Sequence, residues 1–287
     1  MTAVAEKTRP AISTQRRRPR FVKPRKPRRI GTTTLATLVL IFLLAPTAMV
    51  FPLALNSGRV LRFPPDELST VHLQNVATSS VWQDALWTSV QVGLGAAAIA
   101  TVIGTLTAAV IPSRRIFSLP IQLAVALPLV LPPVVLAVAW FGLFSDLSLV
   151  GTKLGIIIGH GFMGVPFVFL NVSGALSNLN PEFLLAARSL GARAHIVFLR
   201  IVLPIIGPGV LAGAVLTFVI SFDELILPLF LGAGVVPTIP QVLWSQIQHT
   251  TTPEIAAVAA ITTTFTLTIL VIYLVLARSF GATKKVQ

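Results

Sequence analysis

The sequence predicts an all-α membrane protein that crosses the bilayer six times. Hydrophobic residues make up 54% of its 287 residues and charged residues 11%, whereas about a quarter of the residues in a soluble domain are charged. A membrane-spanning helix needs about twenty predominantly apolar residues, and six stretches meet this requirement. They are Leu35–Leu55, Val90–Ile111, Leu119–Phe144, Leu154–Leu176, Gly207–Leu231 and Ile255–Leu276.

The chain begins with a basic segment. Eleven of the 22 Lys and Arg residues precede Ile30, and four prolines interrupt the same stretch. We therefore predict that residues 1–30 form a disordered cytoplasmic tail and that residues 31–287 form the transmembrane domain. A basic tail before a first span is typical of a topology signal, and it attracts anionic lipid. We expect this tail to contact membrane lipid and no nucleic acid.

The other basic residues predict that both termini lie in the cytoplasm. With the N-terminus inside, 19 of the 22 basic residues fall on the inner side, and Arg59, Arg62 and Lys153 fall outside. Such an excess of basic residues on the cytoplasmic side is the usual rule for membrane proteins. The same topology places the loop at 177–205, between the fourth and fifth spans, in the cytoplasm.

This cytoplasmic loop has the pattern of two short helices. Asn180 followed by Pro181 is typical of a helix start, and Gly191 indicates a break. A second short helix is predicted from 192 to 203, with Pro204 at the entry of the next span. Two short helices joined at a glycine form a compact knob that fits a groove on another protein.

The loop also carries a spaced motif. Ala186-Ala187, Gly191, Ile201 and Leu203-Pro204 stand at the spacing of the cytoplasmic signature of bacterial ABC importer permeases, which reads Glu-Ala-Ala, three residues, Gly, nine residues, Ile, one residue, Leu-Pro. Leu185 stands where the signature has glutamate. The chain resembles that family, which implies a type-1 importer permease bundle in the bacterial inner membrane. The resemblance implies an ATPase-coupling loop comprising Glu182, Leu185, Ala186, Ala187, Arg188, Gly191, Ile201, Leu203 and Pro204.

The same resemblance implies the partners. They are a second permease subunit, a dimer of ATPase subunits and an extracytoplasmic substrate-binding protein. No Gly-x-x-x-x-Gly-Lys-Ser/Thr loop occurs, so ATP and magnesium are expected on the ATPase and no cofactor on this chain. The four dispersed histidines predict no metal site, and we expect no enzymatic activity of the chain alone.

The strongest polar signal inside a predicted span is Ser221-Phe222-Asp223-Glu224. A carboxylate at mid-membrane costs about 2.5–3.5 kcal/mol on insertion scales. One interpretation is that these residues line the substrate pathway, with one carboxylate turned toward a neighbouring helix. The other is that the helix ends near Asp223 and both carboxylates lie in surface water. We favour the first, because the apolar run continues over Leu225–Leu231.

The substrate is indicated mainly by resemblance, with weaker support from Asp223 and Glu224, whose carboxylates could pair with ammonium groups. Ser221 to Glu224, followed by Thr238-Ile239-Pro240 and then Pro253 to Ala257, looks like the spermidine/putrescine branch of the family, which implies a polyamine. Ferric-iron, thiamine and phosphonate importers share parts of this pattern. A stand-alone channel or secondary carrier is a further alternative, although it would not need the signature loop.

Three other features have two interpretations each. The prolines of the third span, which include Pro132 and Pro133, either kink the helix or line a pathway. His160 is either a pathway residue or, as we favour, a hydrogen-bonded packing residue. The loop at 232–253 is either a gate for an extracytoplasmic partner or a passive connector.

The predicted topology is testable with fusions. A reporter that is active only in the cytoplasm should be active after Gln287 and inactive within 58–80, because the basic residues place the first loop outside. Cytoplasmic activity from the first loop would contradict the whole assignment.

Overall fold

The computed structural model of the protein describes residues 30–110, 118–177, 179–249 and 252–282. These residues form twelve α-helices and one π-helical segment. The helices are α1 (Ile30–Ala54), α2 (Val71–Thr78), α3 (Ser80–Val110), α4 (Ser118–Val130), α5 (Pro133–Asp146), α6 (Lys153–Leu176), α7 (Pro181–Ser189), α8 (Ala194–Val197), α9 (Leu203–Asp223), α10 (Ile226–Leu231), α11 (Ile239–His249) and α12 (Pro253–Ala282), and the π-helical segment is Phe198–Val202.

The predicted all-helical membrane fold is confirmed. Within the described residues, five helical segments are long and apolar enough to cross a membrane, and the bent pair α4 and α5 brings the number to six if it is one span. The predicted tail lies outside the described residues apart from Ile30, as does Ile111 at the end of the second predicted span. From Thr47 onward the described residues form one compact unit, and the preceding part of α1 is a unit by itself.

The second span begins ten residues earlier than hydropathy indicates. Helix α3 starts at Ser80, and its first turns alternate exposed residues with buried ones. Trp82 and Ala85 are buried in a core cluster with Ala256 and Ala257 of α12. Amphipathic packing therefore extends this helix beyond its continuous apolar run.

The third predicted span, Leu119–Phe144, is not a single helix. Helices α4 and α5 meet at an angle of 104°, with Leu131 and Pro132 between them. Pro132 has an extended backbone (φ −59°, ψ 137°) and Pro133 begins α5, because a residue before proline is disfavoured in the helical region. Pro120 and Pro128 line an apolar cavity of about 460 Å³ between α3, α4 and α6.

The predicted loop at 232–253 contains a helix. Helix α11 starts at Ile239, whose N–H donates to Ser89 Oγ of α3 at 2.9 Å. Pro240 falls in its first turn, where the missing N–H has no intrahelical partner to lose. The turn residues that indicated a loop therefore mark the start of a helix.

The centre of the bundle is formed by α3, α6 and α9, which pack closely because glycines line their contacts. A Cβ on Gly104 of α3 would lie 2.8 Å from Val168 Cβ of α6, and one on Gly213 of α9 would lie 2.5 Å from Val168 Cα. Thr217 of α9 reaches Gly164 of α6, where its hydroxyl donates to the carbonyl oxygen at 3.3 Å. Small residues at such contacts let membrane helices approach each other closely.

Gly213→Ala should destabilise the protein by about 1–3 kcal/mol, because the new methyl group meets backbone that cannot move aside. The matched control is Gly174→Ala in α6, where a Cβ would meet nothing within 4 Å; there we expect a neutral or slightly stabilising effect. Thermal unfolding of the detergent-purified protein measures both. Equal melting temperatures for the two variants would contradict this packing.

Candidate functional site

Helix α7 begins with a well-formed cap. Asn180 Oδ1 accepts a hydrogen bond from the Glu182 N–H at 3.0 Å, and Asn180 Nδ2 donates to Glu182 Oε2 at 3.3 Å. Pro181 occupies the first helical position. The predicted Asn180 cap is confirmed, and the carboxylate of Glu182 is engaged in it.

Helix α7 ends at Ser189, and Gly191, two residues later, has a positive φ of 77°. The Gly191 N–H donates to Arg188 O at 2.9 Å, and the Ala192 N–H donates to Ala187 O at 3.1 Å. This pair of bonds is the Schellman motif, which requires the left-handed conformation that glycine adopts without strain. The predicted break at Gly191 is therefore a helix C-terminus of defined geometry.

Most of α7 is exposed, and several of the exposed residues are apolar. Ala187 is buried, whereas Ala186 is exposed. The exposed apolar residues form a surface that we call the α7 face, comprising Phe183, Leu185, Ala186 and Leu190. Leu185 is 63% exposed and Leu190 is 87% exposed, so this face is free to contact another protein.

The second predicted short helix is not separate from the next span. Helix α8, the π-helical segment and α9 follow one another without a break, so that Ala194 to Asp223 is one helical rod. The Leu203 N–H donates to Phe198 O, five residues earlier. This wide turn precedes Pro204, whose ring would clash with a carbonyl four residues earlier in a regular α-helix. Ile201, Leu203 and Pro204 thus lie at the base of α9.

The fifth predicted span, Gly207–Leu231, is interrupted at the acidic pair. Helix α9 ends at Asp223, Glu224 has an extended backbone, and α10 starts at Ile226. Our expectation that the helix continues through Leu225–Leu231 is wrong. Glu224 replaces the lost helical bonds, because its Oε1 accepts from the Ile226 N–H at 2.9 Å and its Oε2 accepts from the Leu227 N–H at 2.8 Å.

Glu224 also faces a buried histidine of α6. His160 Nε2 lies 3.4 Å from Glu224 Oε2, and the two side chains are 1% and 10% exposed. The other ring nitrogen, His160 Nδ1, lies 2.6 Å from Ser221 Oγ. His160 is therefore the hydrogen-bonded packing residue that we favoured, and Ser221 is its partner.

Asp223 lies on a different side of the rod from Glu224. It is exposed and lines a cavity of about 270 Å³ between α9, α11 and α12. Phe222, which is buried, stacks on Phe218 and packs against Phe265 at a ring-centroid distance of 5.1 Å. Of the four predicted pathway residues, the structure thus places Asp223 and the edge of Phe222 at a cavity and turns Ser221 and Glu224 toward α6.

Three threonines of α12 complete the polar lining of this cavity, namely Thr262, Thr263 and Thr266. They were not predicted from the sequence. Their spacing is a readable signal, because residues three and four apart share one helix face. Hydroxyl groups at that spacing inside an apolar span indicate a polar lining.

Comparison with known proteins identifies the family. Residues 100–282, more than half of the chain, match the family described as "Binding-protein-dependent transport system inner membrane component". The chain belongs to this family. It is thus an ABC importer permease, a multi-pass protein of the inner membrane, and not an enzyme.

Two relatives of the permease are named for different substrates. The molybdenum transport system permease protein ModB of Mycobacterium tuberculosis is 32% identical over 193 residues, covering 62% of this chain and 72% of the relative. The spermidine/putrescine transport system permease protein PotC of Escherichia coli K12 is 28% identical over 194 residues, covering 66% and 72%.

A solved structure has the same fold as the permease. It is a bacterial alginate ABC transporter in complex with an alginate pentasaccharide-bound periplasmic protein, and one of its chains superposes with a TM-score of 0.64 at 17% identity. The match covers 85% of this chain and 91% of the other. At this identity the likeness concerns the fold alone.

Proposed function

We propose that this permease forms part of the pathway of an ATP-driven importer whose substrate is a polyamine such as spermidine or putrescine. The observation that carries the proposal is the cavity beside Asp223, in which a carboxylate and three threonine hydroxyls are the side-chain polar groups. A carboxylate in a partly apolar cavity attracts an ammonium group and repels an anion. The relative PotC is named as a spermidine/putrescine permease, which agrees with a cationic substrate.

Molybdate is the second candidate, because ModB is 32% identical to this chain. Molybdate is an oxyanion, and proteins hold oxyanions with N–H donors and basic side chains. Among the described residues that line the Asp223 cavity, none is Lys, Arg or His. The cavity chemistry therefore favours the cation, and phosphonate is disfavoured for the same reason.

The α7 face is the proposed contact for an ATPase subunit. Its four apolar residues are exposed beside Glu182 and Ser189, and the cap at Asn180 and the Schellman motif at Gly191 fix both ends of its helix. A movement of α7 is transmitted to the rod that begins at Ala194 and ends at Asp223. ATP-driven closure of an ATPase dimer can therefore act on the cavity through a continuous helix. Leu185 in place of glutamate makes this contact apolar, so salt should weaken it little.

The other partners follow from the same role. A second permease subunit would supply the rest of the pathway, and an extracytoplasmic binding protein would deliver the substrate. ATP and magnesium would bind the ATPase, while this chain would supply the pathway and the docking surface.

Substrate identity is testable by uptake in cells that lack this gene and carry variants of it. Asp223→Asn should raise the half-saturating spermidine concentration about tenfold, because it removes a charge-assisted contact, while Asp223→Glu should retain most uptake. The control is Asp146→Asn at the exposed end of α5, which should transport normally. Loss of molybdate uptake instead of spermidine uptake on deletion of the gene would overturn the polyamine assignment.

The α7 contact is testable at Gly191. Gly191→Val places a β-branched residue at positive φ, a strain of about 1–3 kcal/mol that disfavours the turn, and it should lower both uptake and the ATPase retained on the purified permease. Gly191→Asn is the matched control, because asparagine tolerates positive φ and a Cβ there would meet nothing within 4 Å. Normal ATPase retention by Gly191→Val would show that this turn does not support the contact.

A further inference from the structure

A buried polar group of three residues inside the membrane-spanning bundle belongs neither to the Asp223 cavity nor to the α7 face. It consists of His160 of α6 with Ser221 and Glu224 at the end of α9. Ionisable groups at such a depth are costly and usually carry a function. The pair His160–Glu224 links α6 to the break between α9 and α10, which lies directly beside Asp223.

This group has no room for a substrate. The free space that His160, Ser221 and Glu224 border is about 10 Å³, which is at or below the size needed for a single water. Both carboxylate oxygens of Glu224 already accept backbone N–H groups of α10. The group therefore acts on the protein itself.

One neutral tautomer of His160 accounts for both of its contacts, of which the one with Ser221 Oγ is a hydrogen bond and the one with Glu224 is a 3.4 Å approach. If Nδ1 accepts a proton from the Ser221 hydroxyl at 2.6 Å, Nε2 carries the hydrogen and turns it toward Glu224 Oε2 at 3.4 Å. The other neutral tautomer would place a lone pair of Nε2 against the lone pairs of the carboxylate. The ring thus orients a donor toward Glu224, and Ser221 selects that orientation.

The break needs such support. Where α9 stops, the Ile226 and Leu227 N–H groups lose their helical acceptors, and buried N–H groups without a partner are costly in a membrane. Glu224 satisfies both of them. On the same side, Leu227 and Leu231 pack so closely on Gly159 that a Cβ there would lie 2.9 Å and 3.2 Å from their side chains.

We propose that His160 and Glu224 are positioning residues that hold the α9–α10 break against α6 and thereby hold Asp223 at the cavity. Glu224 contacts no substrate. Its carboxylate keeps α10 in place, and the His160 ring keeps that carboxylate in place. The proposal rests on the proposed function to the extent that Asp223 is the residue that meets the substrate.

Two substitutions of His160 separate its two contacts. His160→Asn keeps a polar group near the position of Nδ1, beside Ser221, and removes the one that faces Glu224. His160→Gln keeps a polar group near the position of Nε2, facing Glu224. The amount of each variant in the membrane is measured as a control for folding. A folding defect would lower this amount.

The first readout needs no substrate. The chain contains no cysteine, so Leu225→Cys introduces a single thiol at the break. On the purified protein, maleimide should label this thiol about tenfold faster with His160→Asn than with His160 or His160→Gln, because the break opens more often once the contact is lost. Equal labelling rates in all three would overturn the proposal even if the substrate assignment is correct.

The second readout uses spermidine uptake. His160→Asn and Glu224→Gln should each raise the half-saturating concentration while leaving the maximal rate per permease molecule nearly unchanged, and their effects should not add, because they break one unit. In the Asp223→Asn background, His160→Asn should raise the half-saturating spermidine concentration little further. Additive effects, or a fall in maximal rate alone, would contradict positioning. Absence of spermidine uptake by the unmodified permease would refute the polyamine assignment, and the labelling rates would still decide the role of His160.

Discussion

The close approach of α6 and α9 fixes both candidate sites. Gly164 gives Thr217 room to donate to its carbonyl oxygen, and Gly213 brings α9 onto the backbone of Val168. Between helices in a lipid environment, packing and hydrogen bonds replace the hydrophobic effect as the source of association. Since α6 leads into α7 and the rod that contains α9 begins at Ala194, this contact fixes the helices on both sides of α7.

The polar side chains near the end of α9 lie on two sides of the helix, one facing α6 and the other facing the Asp223 cavity. Three of them face α6: Thr217 donates to Gly164 O, Ser221 is hydrogen-bonded to His160, and Glu224 Oε2 lies 3.4 Å from His160 Nε2. Asp223 turns away toward α11 and α12. Because hydrogen-bonded buried groups make a structure rigid, the side of α9 that faces α6 is a fixed support. The side that faces the cavity carries Asp223, the proposed substrate contact.

The sequence predicted most of the fold because its main signals are local. Apolar runs indicate the spans, and Asn180 and Gly191 indicate the two ends of α7. The breaks at Pro132 and Asp223 were harder to predict. A hydropathy pattern counts apolar residues and does not show where backbone N–H groups find acceptors. The run Leu225–Leu231 is apolar on both interpretations, and the end of α9 depends on a carboxylate and on a histidine of another helix.

The cavity was only half predictable for a related reason. Asp223 was recognisable as a costly charge in an apolar span, but the side of the helix on which it lies depends on the position at which α9 stops. Helix α11, which forms one wall, was hidden behind the turn residues near Pro240. Tertiary contacts, such as the one between Ile239 and Ser89, settle these positions.

The π-helical turn at Phe198–Val202 sets the direction in which side chains point at the N-terminal end of the rod. A wide turn holds one residue more than an α-helical turn, and each residue of an α-helix advances the side-chain direction by about 100°. Side chains of α8 are therefore rotated by roughly that angle from where an unbroken helix would place them. The number of residues between Gly191 and Pro204 thus fixes a direction as well as a length, which gives a geometric reason for a signature defined by spacing.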